Sequence, residues 1–138
     1  MTPRQIALVQ DSFARVAPIA GDAADIFYAR LFEAAPAVRS LFPDDMSEQK
    51  DKLMAMLGVA VNGLSDLDAI LPAVRALGVR HRQYGAVPEH YEVVGEALLH
   101  TLAQGLGDAF TPDVEAAWTQ TYAVLADIMV TACEGDER

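Results

Sequence analysis

Apolar residues recur at three- and four-residue spacing along most of the chain, and period-2 runs of β-branched and aromatic residues are missing, so the pattern predicts an all-α protein. Ile6, Val9, Phe13 and Val16 mark the buried face of a first helix. Thr2 can cap it, Pro3 fills a position that needs no donor, and Gln5 completes a capping box. Pro18 and Gly21 are expected to end it. A second helix over about residues 22–34 carries Ile26, Phe27, Leu31 and Phe32, with Tyr28 among them. From Pro36 a further turn, PAVRSLF, brings Leu41 and Phe42 to a corner marked by Pro43, Asp44 and Asp45. Ser47 is placed to cap a longer helix that reaches Gly63, with Leu53, Leu57, Ala60, Val61 and Leu64 on one side. Residues 65–71 read as a connector with a helical turn. Pro72 is then expected to break any continuous helix and to open a short one through Val74, Leu77 and Gly78 that stops at Gly85. Pro88 begins another, with Val93, Val94, Ala97, Leu98 and Leu102 along its face and Gly105 and Gly107 closing it. Thr111 and Pro112 open the last helix, where Asp113 and Glu115 suit the positive end of its dipole and Val114, Trp118, Leu125 and Met129 supply its core face. No internal repeat, low-complexity tract or long linker interrupts the series.

A length of 138 residues with 52% hydrophobic content predicts one domain over residues 1–138, large enough to enclose a cofactor. The N-terminal stretch lacks the charged, apolar and cleavable regions of a secretory signal, and no uninterrupted apolar run approaches the roughly 20 residues of a membrane span. A cytoplasmic location is the expectation. The lone Cys133 fits a reducing compartment and reads as a small apolar residue on a helix. The net charge of −10 argues against nucleic acid or an anionic membrane as partner. Its distribution refines this: Lys50, Lys52, Arg75, Arg80 and Arg82 against Asp51, Asp66 and Asp68 leave residues 49–86 at +2 and the remainder at −12. A locally positive region on an acidic protein suits a small anionic ligand.

Motifs for hydrolysis, phosphate binding and dithiol chemistry are absent from the sequence. Of the three histidines His81, His90 and His100, too far apart for a zinc site by spacing, His81 has the most informative surroundings. It sits on a short amphipathic helix that a brief connector joins to the helix bearing Gln49, Lys52 and Leu53, and a four-residue step puts Gln49 and Leu53 on one face. Two such helices can hold a flat ligand between them. One ring nitrogen of His81 can reach the carbonyl of Leu77 one turn back, which fixes the tautomer and orientation of a metal-binding imidazole.

These residues resemble the bacterial single-domain haemoglobins, which are similar to the globin part of flavohaemoglobins. The matching stretches are IFYARLF with Tyr28, VRSLF with Phe42, QKDKLM with Gln49, Lys52 and Leu53, ILPAVRALGVRHRQYG with His81 and Tyr84, HYEVVGEALL with Tyr91, and AWTQTYAVLAD with Trp118 and Tyr122. They cover nearly the whole chain in the family's order. The resemblance implies a globin fold around haem b, with His81 as the iron ligand and Phe42 packed on the porphyrin. It also implies that Lys52, Leu53, Leu77, Tyr84, Tyr91 and Trp118 belong to the cofactor's surroundings. Tyr28 and Gln49 are implied as the pair that meets dioxygen, nitric oxide or another diatomic ligand, with the phenol of Tyr28 as hydrogen-bond donor. The family ties its iron-bound histidine to a tyrosine and a glutamate. Tyr91 matches the tyrosine, but an ungapped count from Trp118 puts Cys133 in the glutamate's place and Glu134 about 100° further round the helix. The implied functions are reversible oxygen binding for transport or storage, or conversion of nitric oxide and oxygen to nitrate. Steady turnover would require an external electron donor or reductase.

Overall fold

The structure is a computed structural model that describes residues 2–136 except 84, 86 and 87, and describes 88 and 133–136 by their backbone only. Among the described residues six α-helices follow one another: α1 (Pro3–Val16), α2 (Ala20–Ala34), α3 (Ser47–Asn62), α4 (Leu67–Gln83), α5 (Pro88–Leu106) and α6 (Pro112–Asp136). Short 3-10 turns at Ala17–Ile19, Pro36–Leu41, Gly63–Asp66 and Gly107–Ala109 link them, and no strand occurs among the described residues. The core lies where α1, α2, α5 and α6 meet, around Val9, Phe27, Leu31, Ala97, Leu102 and Trp118. Ala97 and Ala117 are fully buried there, small enough for helix axes to approach closely. The main packing partners are α4 with α6, α2 with α5 and α1 with α6, whereas the sequential neighbours α3 and α4 touch only thinly.

Several local features follow the sequence pattern. Thr2 accepts from the Gln5 amide at 3.1 Å while Gln5 accepts from the Thr2 amide at 3.0 Å, so both halves of the capping box at α1 are formed. Thr111 accepts from the Val114 amide at 3.3 Å and caps α6. Gly107, with φ of 55°, takes the left-handed turn that stops α5.

Other features correct the sequence-based expectations. Pro18 sits in a 3-10 turn and Gly21 lies inside α2, so the chain turns from one helix into the next without a loop. Ser47 does not cap α3; instead the Asp45 carboxylate accepts from the Ser47 amide at 3.0 Å, and that bond holds the carboxyl below its ordinary pKa. Pro72 does not start a helix either. It lies within α4, which begins at Leu67. Its missing N–H would have gone to the carbonyl of Asp68, and both residues are exposed.

As a result the backbone is helical without a break from Ser47 to Gln83, 37 residues that contain a window of mean hydropathy 1.4. By length and composition that run passes for a membrane span, which the count of uninterrupted apolar residues had not suggested. Only 11% of the window is buried. Val61 and Leu64 reach the core, while Leu53, Met54 and Leu57 are half-buried against it.

Candidate functional site

Three consecutive elements bring an aromatic and polar cluster together. On α2, Phe27 and Tyr28 pack edge to face with ring centres 5.0 Å apart. The 3-10 turn at Pro36–Leu41 then delivers Phe42, whose ring stands 5.6 Å from Tyr28 and 5.5 Å from Phe32, both near perpendicular. Such edge-to-face contacts fix ring orientation beyond what burial alone does. The guanidinium of Arg39 lies 5.2 Å over Phe32 and donates to the carbonyls of Phe42, Pro43 and Asp44, so the corner itself is held. From the first turn of α3, Gln49 donates through Nε2 to the Tyr28 hydroxyl at 3.1 Å. With Gln49 as donor, the phenol keeps its own hydrogen, and no second protein partner of Tyr28 occurs among the described residues. Tyr28 is 4% exposed, and this burial pushes its phenol above the ordinary pKa, against a smaller lowering by the Gln49 amide. It is therefore a neutral donor at physiological pH.

His81 lies half-buried near the end of α4, with Nδ1 2.8 Å from the Leu77 carbonyl. A carbonyl only accepts, so Nδ1 carries the hydrogen and Nε2 of the neutral ring presents a lone pair. That is the tautomer a metal ligand needs. Just beyond α4, Gly85 turns with φ of 102° and donates its amide to the Arg82 carbonyl at 2.9 Å. A Cβ there would come within 3.1 Å of Leu41, so the end of α4 adjoins the corner that carries Phe42. The chemistry of this donor set, an imidazole nitrogen, a phenol hydrogen and apolar Phe42 and Leu53, fits a flat iron porphyrin.

The remaining sequence-predicted residues are distributed as follows. Leu53, half-buried, lines a cavity of about 10 Å³ with Phe27, Leu57, Leu98 and Trp118. Trp118 is in the core, 1% exposed, and its indole donates to Ser12 at 2.8 Å. Lys52 is exposed and pairs with Glu48 at 3.4 Å. Tyr91 is half-buried on α5, and its carbonyl accepts from the Tyr122 hydroxyl at 2.6 Å. Tyr84 and the side chains of Cys133 and Glu134 lie outside the described residues.

Two participants named by the sequence had no role assigned to them. Tyr122 anchors α6 to the start of α5, its phenol driven up by burial and by the neighbouring Tyr91, and it sits four residues after Trp118 in the matched AWTQTY stretch. Phe32 completes the aromatic cluster, and its place on the apolar stripe of α2 was a signal for packing but not for which ring it meets.

A globin profile matches residues 25–129. The flavohemoprotein of Bacillus subtilis is 35% identical over 107 residues, which cover 75% of this chain and 27% of the relative. That of Rhodopirellula baltica is 31% identical over 133 residues, covering 94% of this chain and 33% of the relative. The chain thus spans a third or less of the length of these curated relatives. A solved bacterial globin from Campylobacter jejuni superposes with a TM-score of 0.86 at 23% identity, covering 97% of both chains, and so shares the fold. With the profile spanning most of the chain and the helices arranged as in a known globin, this chain belongs to the globin family of haem-binding proteins.

Proposed function

We propose that this globin holds haem b on His81 and binds dioxygen reversibly, as a carrier or store. The observation that carries this reading is the Tyr28–Gln49 pair, a buried neutral phenol oriented by an amide and left with a hydrogen to donate. Haem b supplies a redox-active iron with a place for a diatomic ligand. His81 holds the iron through Nε2, and the Leu77 carbonyl fixes the ring's tautomer and rotation and raises its basicity. Phe42, wedged between Tyr28 and Phe32, offers an apolar face to the porphyrin. Leu53 closes the ligand's side against water. Tyr28 donates a hydrogen bond to the partial negative charge of the ligand, a charge-assisted bond that slows its departure. The exposed Arg75, Arg80 and Arg82 of α4 provide positive charge for the two propionates.

Nitric oxide dioxygenation is the second reading, and the names of the relatives favour it. A flavohemoprotein joins a flavin to a haem by its name, and a flavin reductase would be the external electron donor here.

The test is the absorption spectrum of protein loaded with haemin, in ferric, ferrous, oxygen and carbon monoxide forms. His81→Ala is expected to abolish or greatly weaken the Soret band, and an unchanged spectrum would sink the assignment. Supplying a reductase and NADH separates the two readings. Nitric oxide consumed over many turnovers favours the enzyme, and consumption that stops at one equivalent per haem favours the carrier.

A further inference from the structure

Among the described residues α4 makes its largest contact with α6, and at Gly78 the two helices come together backbone to backbone. A Cβ placed on Gly78 would lie 2.5 Å from the Met129 carbonyl oxygen, 2.7 Å from its Cα and 2.9 Å from its carbonyl carbon. Non-bonded carbons settle at roughly 3.5–4.0 Å, so all three distances are impossible for a real side chain. The obstacle is the main chain of another helix, and no change of rotamer relieves it. Elsewhere the situation is softer: the atoms nearest a Cβ on Gly95 belong to the ring of Tyr122, and those nearest one on Gly63 to the side chain of Ile70.

Conformation does not call for glycine at this position. Gly78 has ordinary helical φ, since the positive-φ glycines are Gly85 and Gly107. In a helix interior, glycine is a poor choice unless something requires the missing side chain. What it provides at Gly78 is the distance between α4 and α6. One turn of α4 then holds three things at once: the point of contact with α6 at Gly78, the carbonyl of Leu77 that orients the imidazole, and His81 three residues on.

We propose that Gly78 is a positioning residue, seating α4 directly on the Met129 backbone and thereby setting how far the Nε2 of His81 stands from the iron of bound haem. The inference rests on the reading of His81 as iron ligand. A side chain at residue 78 displaces the turn from α6 and carries His81 with it, while every group of the ligand set remains present.

The experiment uses Gly78→Ala loaded with haem, beside Val9→Ala, a core truncation on α1. In Gly78→Ala the ferrous iron–histidine stretching band shifts and broadens, and haem is lost about tenfold faster, the low end of the effect of disturbing a metal ligand's support. Val9→Ala lowers the melting temperature and leaves band and haem loss unchanged. If Gly78→Ala also changes only the melting temperature, the proposal is overturned. Where Gly78→Ala fails to fold, Val74→Ile adds one methylene a turn earlier on the same face of α4, and it is expected to move the band by a smaller amount; no movement overturns the proposal.

A second background tests the route. In His81→Gly with imidazole supplied, the iron's ligand is no longer attached to α4, and adding Gly78→Ala is expected to leave the iron–imidazole band where it was. Movement of the band in that background would show that Gly78 acts on the pocket at large, and would overturn a positioning role through His81. Failure of the underlying reading looks different: the parent protein itself would then lack an iron–histidine band.

Discussion

The Tyr28 oxygen receives one hydrogen bond, from Gln49, and its hydrogen has no acceptor among the described protein groups. A bond donated to a partly charged ligand is worth about 1.5–3 kcal/mol, so Tyr28→Phe is expected to speed oxygen dissociation about ten- to hundredfold in stopped-flow measurements. An unchanged rate would remove Tyr28 as donor and leave Gln49 as the next group to vary. The pH dependence follows from the direction of the shift. Burial raises the phenol's pKa in the folded protein above its usual value of about 10, so the protonated donor persists through that value and is lost only at higher pH. Oxygen dissociation should be flat between about pH 6 and 10 as far as Tyr28 controls it. His81 and Leu77 were legible from spacing alone, because a residue and the carbonyl four before it meet on any helix. Tyr28 and Gln49 are different, since 21 residues and a corner separate them and only the family resemblance placed them together.

Helices were legible wherever periodicity and caps agreed, and misread where one residue's habit competed with its setting. Pro72 shows the competition: proline removes one hydrogen bond, but it does so at an exposed place near the start of α4, and packing on α6 carries the helix through. Ser47 shows another: it becomes the first residue of α3 rather than its cap, and its amide donates to the Asp45 carboxylate. Close helix contacts such as Gly78 on Met129 were not legible, because the sequence does not say which faces cross. The seating of α1 on α6 is a further case, in which the Ser12 hydroxyl accepts the Trp118 indole N–H at 2.8 Å while donating toward the carbonyls of Leu8 and Val9. Both side chains are buried. Ser12→Ala leaves the indole N–H without a partner and is expected to cost about 1–3 kcal/mol in urea unfolding. A variant within about 0.5 kcal/mol of the parent, the range of an ordinary surface substitution, would mean that the bond does not hold the helices together.

At the scale of the whole molecule, burial is unevenly shared among the α-helices of the described residues. On α2, Ala23, Ala24, Phe27, Tyr28 and Leu31 are buried, whereas α3 buries only Val61, and α4 buries Val74 and Gly78. Helices with few buried apolar contacts open at lower free energy than the core. In hydrogen exchange of protein without haem, the amides of α3 and α4 are therefore expected to exchange ahead of those in α1, α2 and α5. Haem held between Leu53 on α3 and His81 on α4 would add contact where the two helices touch thinly. A ligand at about 100 times its Kd stabilises the folded state by about 2.7 kcal/mol, a slowing of local opening by about a hundredfold where binding and opening exclude each other. Haemin should thus slow exchange selectively in α3 and α4, with little change at Val9 or Trp118 until the whole protein opens. Uniform protection, or protection centred on α1, would place the cofactor against a different surface of the fold.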